Sequence, residues 1–217
     1  MQYFRLLKVA MILIILLPLT ILAEDQPIRE FQRYFSQIKT FQGRFQQVYF
    51  DALLDRTSES EGTVLYKKPG LMRWNYERPD QTQIIIGEEV IWVYEPDLEN
   101  VTVQPIDEVA RMDTLAFLLK NENLELFYKT ITPQKPLLDK ELFALNLTPI
   151  KPNNYLVELQ LGLDKNNKQL RQFVIIDKQN NYRKVTFSGL KMNQFIEGSQ
   201  FEFVITEGME VIDEMDN

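Results

Sequence analysis

The side chains best suited to bond-breaking chemistry in this chain are two pairs of neighbouring acids, Glu88-Glu89 and Asp107-Glu108. Paired carboxylates can work as acid and base, or as acid and nucleophile, on a glycosidic bond. Acids adjacent in sequence seldom converge on one site, so both pairs read as solvated turn or helix-start residues. Other chemistries lack their parts. The chain has no histidine to serve as base or zinc ligand and no cysteine for thiol chemistry. Neither Ser188 nor Ser199 sits in a G-x-S-x-G elbow, and no glycine-rich phosphate loop is present. Asp164 to Asn167 and Asp177 to Asn181 have some of the acids of a calcium loop but not its central glycine and terminal glutamate, so they read as hairpin turns. No catalytic residue, metal ligand or cofactor is expected. An enzyme acting on envelope lipid or glycan stays open only through those four acids.

What remains is a pattern of apolar and aromatic residues, and its placement begins with the N-terminus. Arg5 and Lys8 precede an uncharged, mainly apolar run from Val9 to Ala23, closed by a small residue and followed by Glu24-Asp25. That is the order of a secretory leader. The run is shorter than the roughly 20 residues a membrane span needs. Residues 1–23 are therefore expected to be a cleaved signal peptide, leaving 24–217 as a single exported domain. An uncleaved anchor is the competing reading, because Ile21 is not the small residue preferred near a cleavage site. The whole chain carries a net charge of −7; the leader holds two of the 24 basic residues and none of the 31 acidic ones, so the remainder is at 22 minus 31, or −9. Such an acidic surface repels nucleic acid and anionic lipid, so no nucleic-acid partner is expected.

The elements follow from periodicity. Ile28, Phe31, Tyr34, Phe35 and Ile38 recur at intervals of three and four, an amphipathic helix with Pro27 in its first turn. Alternating runs follow at Phe41 to Phe50, Gly62 to Lys67, Leu71 to Tyr76, Thr82 to Ile86, Val90 to Tyr94 and Val101 to Ile106, split by turns such as Lys68-Pro69-Gly70 and Arg78-Pro79-Asp80. Leu115, Leu118 and Leu119 show helical spacing within Asp113 to Lys120, and Leu124 to Tyr128 reads as a continuation of that helical insert. Alternation returns in Leu142 to Thr148, Tyr155 to Leu161, Leu170 to Ile176, Tyr182 to Leu190 and Phe201 to Ile205. The sum is about eleven strands in an antiparallel meander, a number suited to one strongly curved sheet or barrel.

Several of these strands are apolar on both faces. Leu71 to Tyr76 sets Met72, Trp74 and Tyr76 against Leu71, Arg73 and Asn75, and Val90 to Tyr94 sets Val90, Trp92 and Tyr94 against Ile91 and Val93. A curved sheet closed by amphipathic helices would enclose an apolar cavity for a hydrophobic ligand. A simple filled core accounts for the same periodicity, and the residues alone do not choose between them.

The order of motifs is more specific. "FQGRFQQ" after the helix, then "GTVLYKKPGLMRWNYERPDQTQIIIGEEVIWVYEPDLENVTVQPI", resembles the periplasmic lipoprotein carrier family of LolA type. Phe41, Phe45, Gln46, Gly62, Lys68, Pro69, Met72, Trp74, Pro79, Gly87, Trp92, Tyr94 and Pro96 carry the resemblance, and "GSQFEFVITEGMEVID" resembles the family's closing strand and loop. The resemblance implies a mainly β fold, an unclosed antiparallel half-barrel of about eleven strands over an apolar cavity closed by short helices. It implies a non-enzymatic chaperone, expected as a monomer in the periplasm of a Gram-negative bacterium. That chaperone takes acylated lipoproteins from an inner-membrane lipoprotein-releasing ABC transporter complex and passes them to an outer-membrane receptor lipoprotein. The implied cavity residues are Phe31, Tyr34, Phe35, Phe45, Trp74, Trp92, Leu115, Leu118 and Leu119. Lys68 stands where the family commonly has an arginine that latches the lid; it keeps the charge but lacks the planar fork of donors. Met72 stands where the family often has a phenylalanine at a rim that meets the inner-membrane partner. A lipid-sensing or lipid-transfer module on the same scaffold is the alternative.

Overall fold

The computed structural model describes residues 26–106, 123–152 and 155–215. Its twelve strands form one open sheet whose spatial order is β12-β6-β5-β4-β3-β2-β1-β11-β10-β9-β8-β7. Two meanders build it. The first runs through β1 (Thr40–Asp51), β2 (Arg56–Lys67), β3 (Leu71–Arg78), β4 (Thr82–Ile86), β5 (Val90–Glu95) and β6 (Asn100–Pro105). The second runs through β7 (Tyr128–Thr130), β8 (Phe143–Pro149), β9 (Glu158–Leu163), β10 (Leu170–Ile176) and β11 (Tyr182–Met192). They meet where β1 pairs antiparallel with β11, so the first and last long strands stitch the halves together. Two strands were not expected, β7 and β12 (Glu210–Asp213), the latter joining the edge strand β6 in parallel, and one expected strand, Phe201 to Ile205, is absent.

The expected alternation is realised as a period-two division between faces. Along β1 the inward positions are Phe41, Gly43, Phe45 and Gln47; their partners continue the same face as Tyr66 and Val64 on β2, Met72 and Trp74 on β3, and Phe187 and Val185 on β11. Across the second meander the face continues as Phe173, Leu161 and Leu145. The apolar members of this face are buried and form the core. The rings touch in sequence: Phe41 with Tyr66 at 5.0 Å between centroids, Phe45 with Trp74 at 4.8 Å, Trp74 with Phe187 at 6.1 Å and Phe187 with Phe173 at 5.8 Å.

Helix α1 (Gln26–Ser36) lies over this inner face and buries Ile28, Phe31 and Phe35 on one side, as the spacing requires, with Ile38 buried just beyond its end. Only a short turn, in which the Gln37 and Ile38 N–H groups donate to the Tyr34 and Phe35 carbonyls, separates it from β1. The helix therefore folds straight back onto the strands it precedes.

Two segments differ from the sequence reading. Leu124–Leu126 is a short 3-10 turn that leads directly into β7, so helical character stops before Tyr128. Phe201 to Ile205 is not a strand: a 3-10 turn at Gly198–Phe201 is followed by irregular chain crossing the outer face of the sheet. Its alternation reflects one-sided packing, with Phe201 buried and the Phe203 ring 5.2 Å from that of Tyr94.

Gly62 shows how close packing fixes a motif residue. It faces Phe45 on one side and Tyr76 on the other, and a β-carbon there would come 1.9 Å from the Asn75 carbonyl oxygen. Its bare position also leaves Phe45 free to reach across to Tyr76, with centroids 5.0 Å apart. Gly62→Ala should therefore destabilise the protein by about 3 kcal/mol, the upper end for forced overpacking, measured by chemical denaturation; a loss below about 0.5 kcal/mol would show that the β2–β3 register yields freely.

Candidate functional site

The inner face with α1 across it is the site that the sequence pointed to. Phe31 and Phe35 stack at 5.9 Å and continue to Tyr66 at 6.1 Å from Phe35, so the helix contributes rings to the same cluster as the sheet. Tyr34 is half-buried at the helix flank, and burial raises its phenol pKa. Burial also pushes the Tyr66 phenol, fully enclosed, up to about 12. Phe45 and Trp74 sit in the floor beneath. Among the described residues, the apolar gaps between helix and sheet are small. One of about 10 Å³ lies among Phe35, Ile38, Phe41, Phe187 and Met192, and one of about 70 Å³ among Phe31, Tyr34, Phe143 and Leu163. Pockets that hold drug-sized ligands run to about 300–1,000 Å³. The two gaps described are smaller than this.

Polar ties hold α1 at both ends. At its C-terminal end the Lys68 ammonium donates to the Ser36 carbonyl at 3.0 Å, and the Lys68 N–H donates to the Lys39 carbonyl at 2.8 Å. At the other end Arg29 pairs with Glu125 at 3.2 Å, and the Leu124 N–H donates to the Gln32 amide oxygen at 3.2 Å. Exposed ion pairs of this sort contribute about 0–1 kcal/mol.

Two expected residues sit elsewhere. Trp92 pairs with Ile85, which pairs with Arg73, and this row belongs to the outer face. Its ring packs over Gly87, where a β-carbon would come 2.7 Å from it, so the glycine-then-tryptophan motif is packing geometry on the back of the sheet and not cavity lining. Met72 is 0 % exposed, between Tyr66 and Ile86 on the inner face; it belongs to the floor and not to a rim open to a partner. Leu115, Leu118 and Leu119 lie outside the described residues, as do Asp107 and Glu108. Glu88 and Glu89 are exposed in the β4–β5 turn. Asp164 and Asp177 close hairpin turns by accepting backbone N–H bonds, from Asn166 and Asn167 and from Gln179 and Asn181. The hydrogen bonds from Asn167 and Asn166 hold the Asp164 carboxyl below its ordinary value. Among the described residues no group of three or more acids is placed to hold a metal ion.

Sequence reasoning missed the outer cover. Gln160, Gln172 and Glu158 are buried on the back of β9 and β10 and hold the chain at 131–142 against it. Gln160 accepts from the Leu137 N–H at 3.0 Å and donates to the Lys135 carbonyl at 2.7 Å; Gln172 accepts from the Asp139 N–H at 3.0 Å. Asp139 in turn takes a 2.8 Å bond from Lys184, which is the main reason its pKa lies below the ordinary carboxylate value. The signal was present in glutamines at core positions of otherwise apolar strands.

The family model of outer membrane lipoprotein carrier protein LolA matches residues 36–204. The chain belongs to this family. Among its relatives, the outer-membrane lipoprotein carrier protein of Azotobacter vinelandii is 27% identical over 99% of this chain and 100% of its own. That of Nitrosomonas europaea is 27% identical over 96% and 98%. A crystal structure of an uncharacterized conserved protein from Thermus thermophilus is similar in fold, with a TM-score of 0.54, 13% identity and coverage of 87% of this chain and 98% of that one. The half-barrel that the motifs implied is thus shown by both sequence and architecture.

Lys68→Ala should leave the sheet intact and loosen α1: removing a hydrogen bond of about 1 kcal/mol should speed amide exchange in Phe31 to Ser36 about fivefold by hydrogen-exchange mass spectrometry. Unchanged exchange would mean that the lysine does not hold the helix. Tyr66 gives a pH test. Its folded pKa is raised, so its contribution is complete below pH 10 and is lost as the pH rises towards 12, by on the order of 2 kcal/mol. Tyr66→Phe should lack this part of the alkaline loss when urea midpoints at about pH 9 and about pH 11.5, on either side of the ordinary phenol value, are compared with wild type; parallel curves would contradict it.

Proposed function

We propose that this protein is a periplasmic lipoprotein carrier, exported by cleavage of residues 1–23. On this reading it receives the acyl chains of lipoproteins released at the inner membrane by an ABC transporter complex and delivers them, one cargo per monomer, to an outer-membrane receptor. The observation that supports this most directly is the pairing of an aromatic inner face with a helical cover. Tyr66, Phe41, Phe45, Trp74 and Phe187 form a floor, and α1 covers it with Phe31 and Phe35, held mainly by apolar contact and by Lys68 at one end. An acyl chain makes no directional bonds, so it can take the place of side chains that make none either. Each buried methylene contributes about 0.8 kcal/mol. The protein's part is to sequester and release: no bond in the cargo is made or broken. The names of the matching family and of the Azotobacter and Nitrosomonas relatives support the same cargo class.

The two tryptophans lie on opposite faces of the sheet, which makes the reading testable. In Trp92→Phe only Trp74 on the inner face fluoresces, and in Trp74→Phe only Trp92 on the back does. A lipopeptide with brominated acyl chains should quench the first protein by half or more and leave the second nearly unchanged. Incubation with spheroplasts that hold newly made lipoproteins should release them in a soluble one-to-one complex. Quenching of Trp92 alone, or no release, would overturn the carrier reading.

A further inference from the structure

The β1–β2 hairpin is longer than the strand beside it. β1 and β2 stay in register from Thr40 opposite Lys67 to Asp51 opposite Arg56. β3 follows β2 only as far as Arg78, opposite Glu61, because Pro79 and Asp80 then turn the chain away. From Arg56 to Ser60, β2 is thus paired on its β1 side, and among the described residues no strand pairs with its other edge. Such an edge presents a row of free backbone N–H and C=O groups, which proteins commonly blunt with lysine, proline or a bulge. Here Arg56 and Glu59 put a charge near each end of the stretch, but Thr57 and Ser58 between them are small and neutral, there is no proline, and the register with β1 is unbroken.

Next to the edge is an open cleft of about 500 Å³ lined by Gln46, Gln47, Glu59, Ser60, Glu61 and Arg78. Its lining comes from both faces: Gln47 and Ser60 continue the inner row, while Gln46, paired with Glu61, and Val48, paired with Glu59, belong to the outer row. The inward row of β1 passes from Phe41 and Phe45, both buried in the aromatic floor, to Gln47. The Tyr76 hydroxyl donates to the Gln47 amide oxygen at 3.3 Å, and the Gln47 amide donates to the Ser60 hydroxyl at 3.3 Å. The inner row thus passes from the aromatic floor to polar side chains beside an unpaired strand edge within two residues. A ligand that fits this order has an apolar tail followed by polar, extended main chain.

We infer that the Arg56–Ser60 edge binds the peptide segment behind the acylated terminus of the cargo, as an added β-strand. This rests on the acyl-binding reading above and extends it from the lipid to the polypeptide. Five residues of strand span about 17 Å. Main-chain pairing supplies affinity with little demand on side chains, which suits a carrier whose cargoes share a lipid and not a sequence. The small Thr57, Ser58 and Ser60 leave the edge open to them.

The test uses two synthetic diacylated lipopeptides with the same lipid, one carrying two residues and the other ten extended polar residues, titrated into the purified full-length exported protein. Wild type should bind the longer about tenfold more tightly, the gain of one to two net backbone hydrogen bonds. Adjacent residues of a strand aim their N–H groups to opposite sides, so one of Thr57→Pro and Ser58→Pro disturbs the β1 ladder and the other only the free edge. Circular dichroism identifies the folded one. In that variant the tenfold gain should vanish while the shorter lipopeptide binds as before. Equal affinities in wild type, or a gain that survives in the folded proline variant, would overturn the inference and leave the acyl reading standing. Failure of both lipopeptides to bind would overturn the acyl reading and the inference with it.

Discussion

The structure depends on one constraint: a sheet whose inner face carries Phe41, Phe45, Tyr66, Trp74, Phe173 and Phe187 cannot leave that face in water. A closed barrel would satisfy it by wrapping the sheet on itself. Here the sheet remains open, with β12 and β7 at its two ends, and the face is covered from within the chain by α1. The helix is short, sits at the end of the described chain and connects to β1 by a brief turn. The fold is a hydrophobic surface with a helical cover, and the carrier reading requires that cover to be exchangeable.

The exchange is energetically reasonable. Burying the four apolar side chains Ile28, Phe31, Phe35 and Ile38 contributes roughly 6–12 kcal/mol at about 1.5–3 kcal/mol each. At about 0.8 kcal/mol per methylene, roughly eight to fifteen methylenes match it. A lipid tail of that size could replace the helix at little net cost, and the helix could in turn expel the tail. A cover tied down by many buried hydrogen bonds would lose this balance, because each donor left unpaired costs about 1–3 kcal/mol. The exposed lysine contact at Ser36 is compatible with a helix that lets go.

Much of this was legible in the sequence because the period of apolar residues is set by local geometry. The helix stripe from Ile28 to Ile38 and the alternation of Leu71 to Tyr76 each predict an element and the face it buries, and both stand within a few residues. Periodicity does not say which of two apolar faces looks inward. Trp74 and Trp92 are both strand aromatics with apolar neighbours, and only the register through Ile84, Ile85 and Val93 separates the floor from the back. Met72 was misplaced for a related reason: a family motif assigns it a role by position, whereas its burial follows from Tyr66 and Ile86 on either side. The Phe201 to Ile205 stretch alternates like a strand, yet its partners lie beneath it and not beside it, and no one-dimensional pattern separates those cases.

The two covers are fastened in different ways. On the back of the sheet, the chain at 131–142 and the crossing at 193–203 are fastened by directional bonds. Gln160 and Gln172 grip Lys135, Leu137 and Asp139; Arg73 donates to the Gln200 carbonyl at 3.2 Å; Lys67 donates to the Ile196 carbonyl at 3.1 Å. Arg73, its pKa lowered by burial, also donates to Asn75 and Gln83, so lifting that segment would leave a desolvated cation short of one acceptor. On the inner face, α1 is held mainly by non-directional apolar contact, with the ties from Lys68, Glu125 and Leu124 added at its margins. Hydrogen bonds specify one partner and one geometry, whereas the hydrophobic effect asks only that area be removed from water. The two kinds of interaction are thus divided between the two faces, bonds fastening the outer cover and buried area mainly holding the inner one, and that division follows from where the glutamines and the phenylalanines fall along alternating strands.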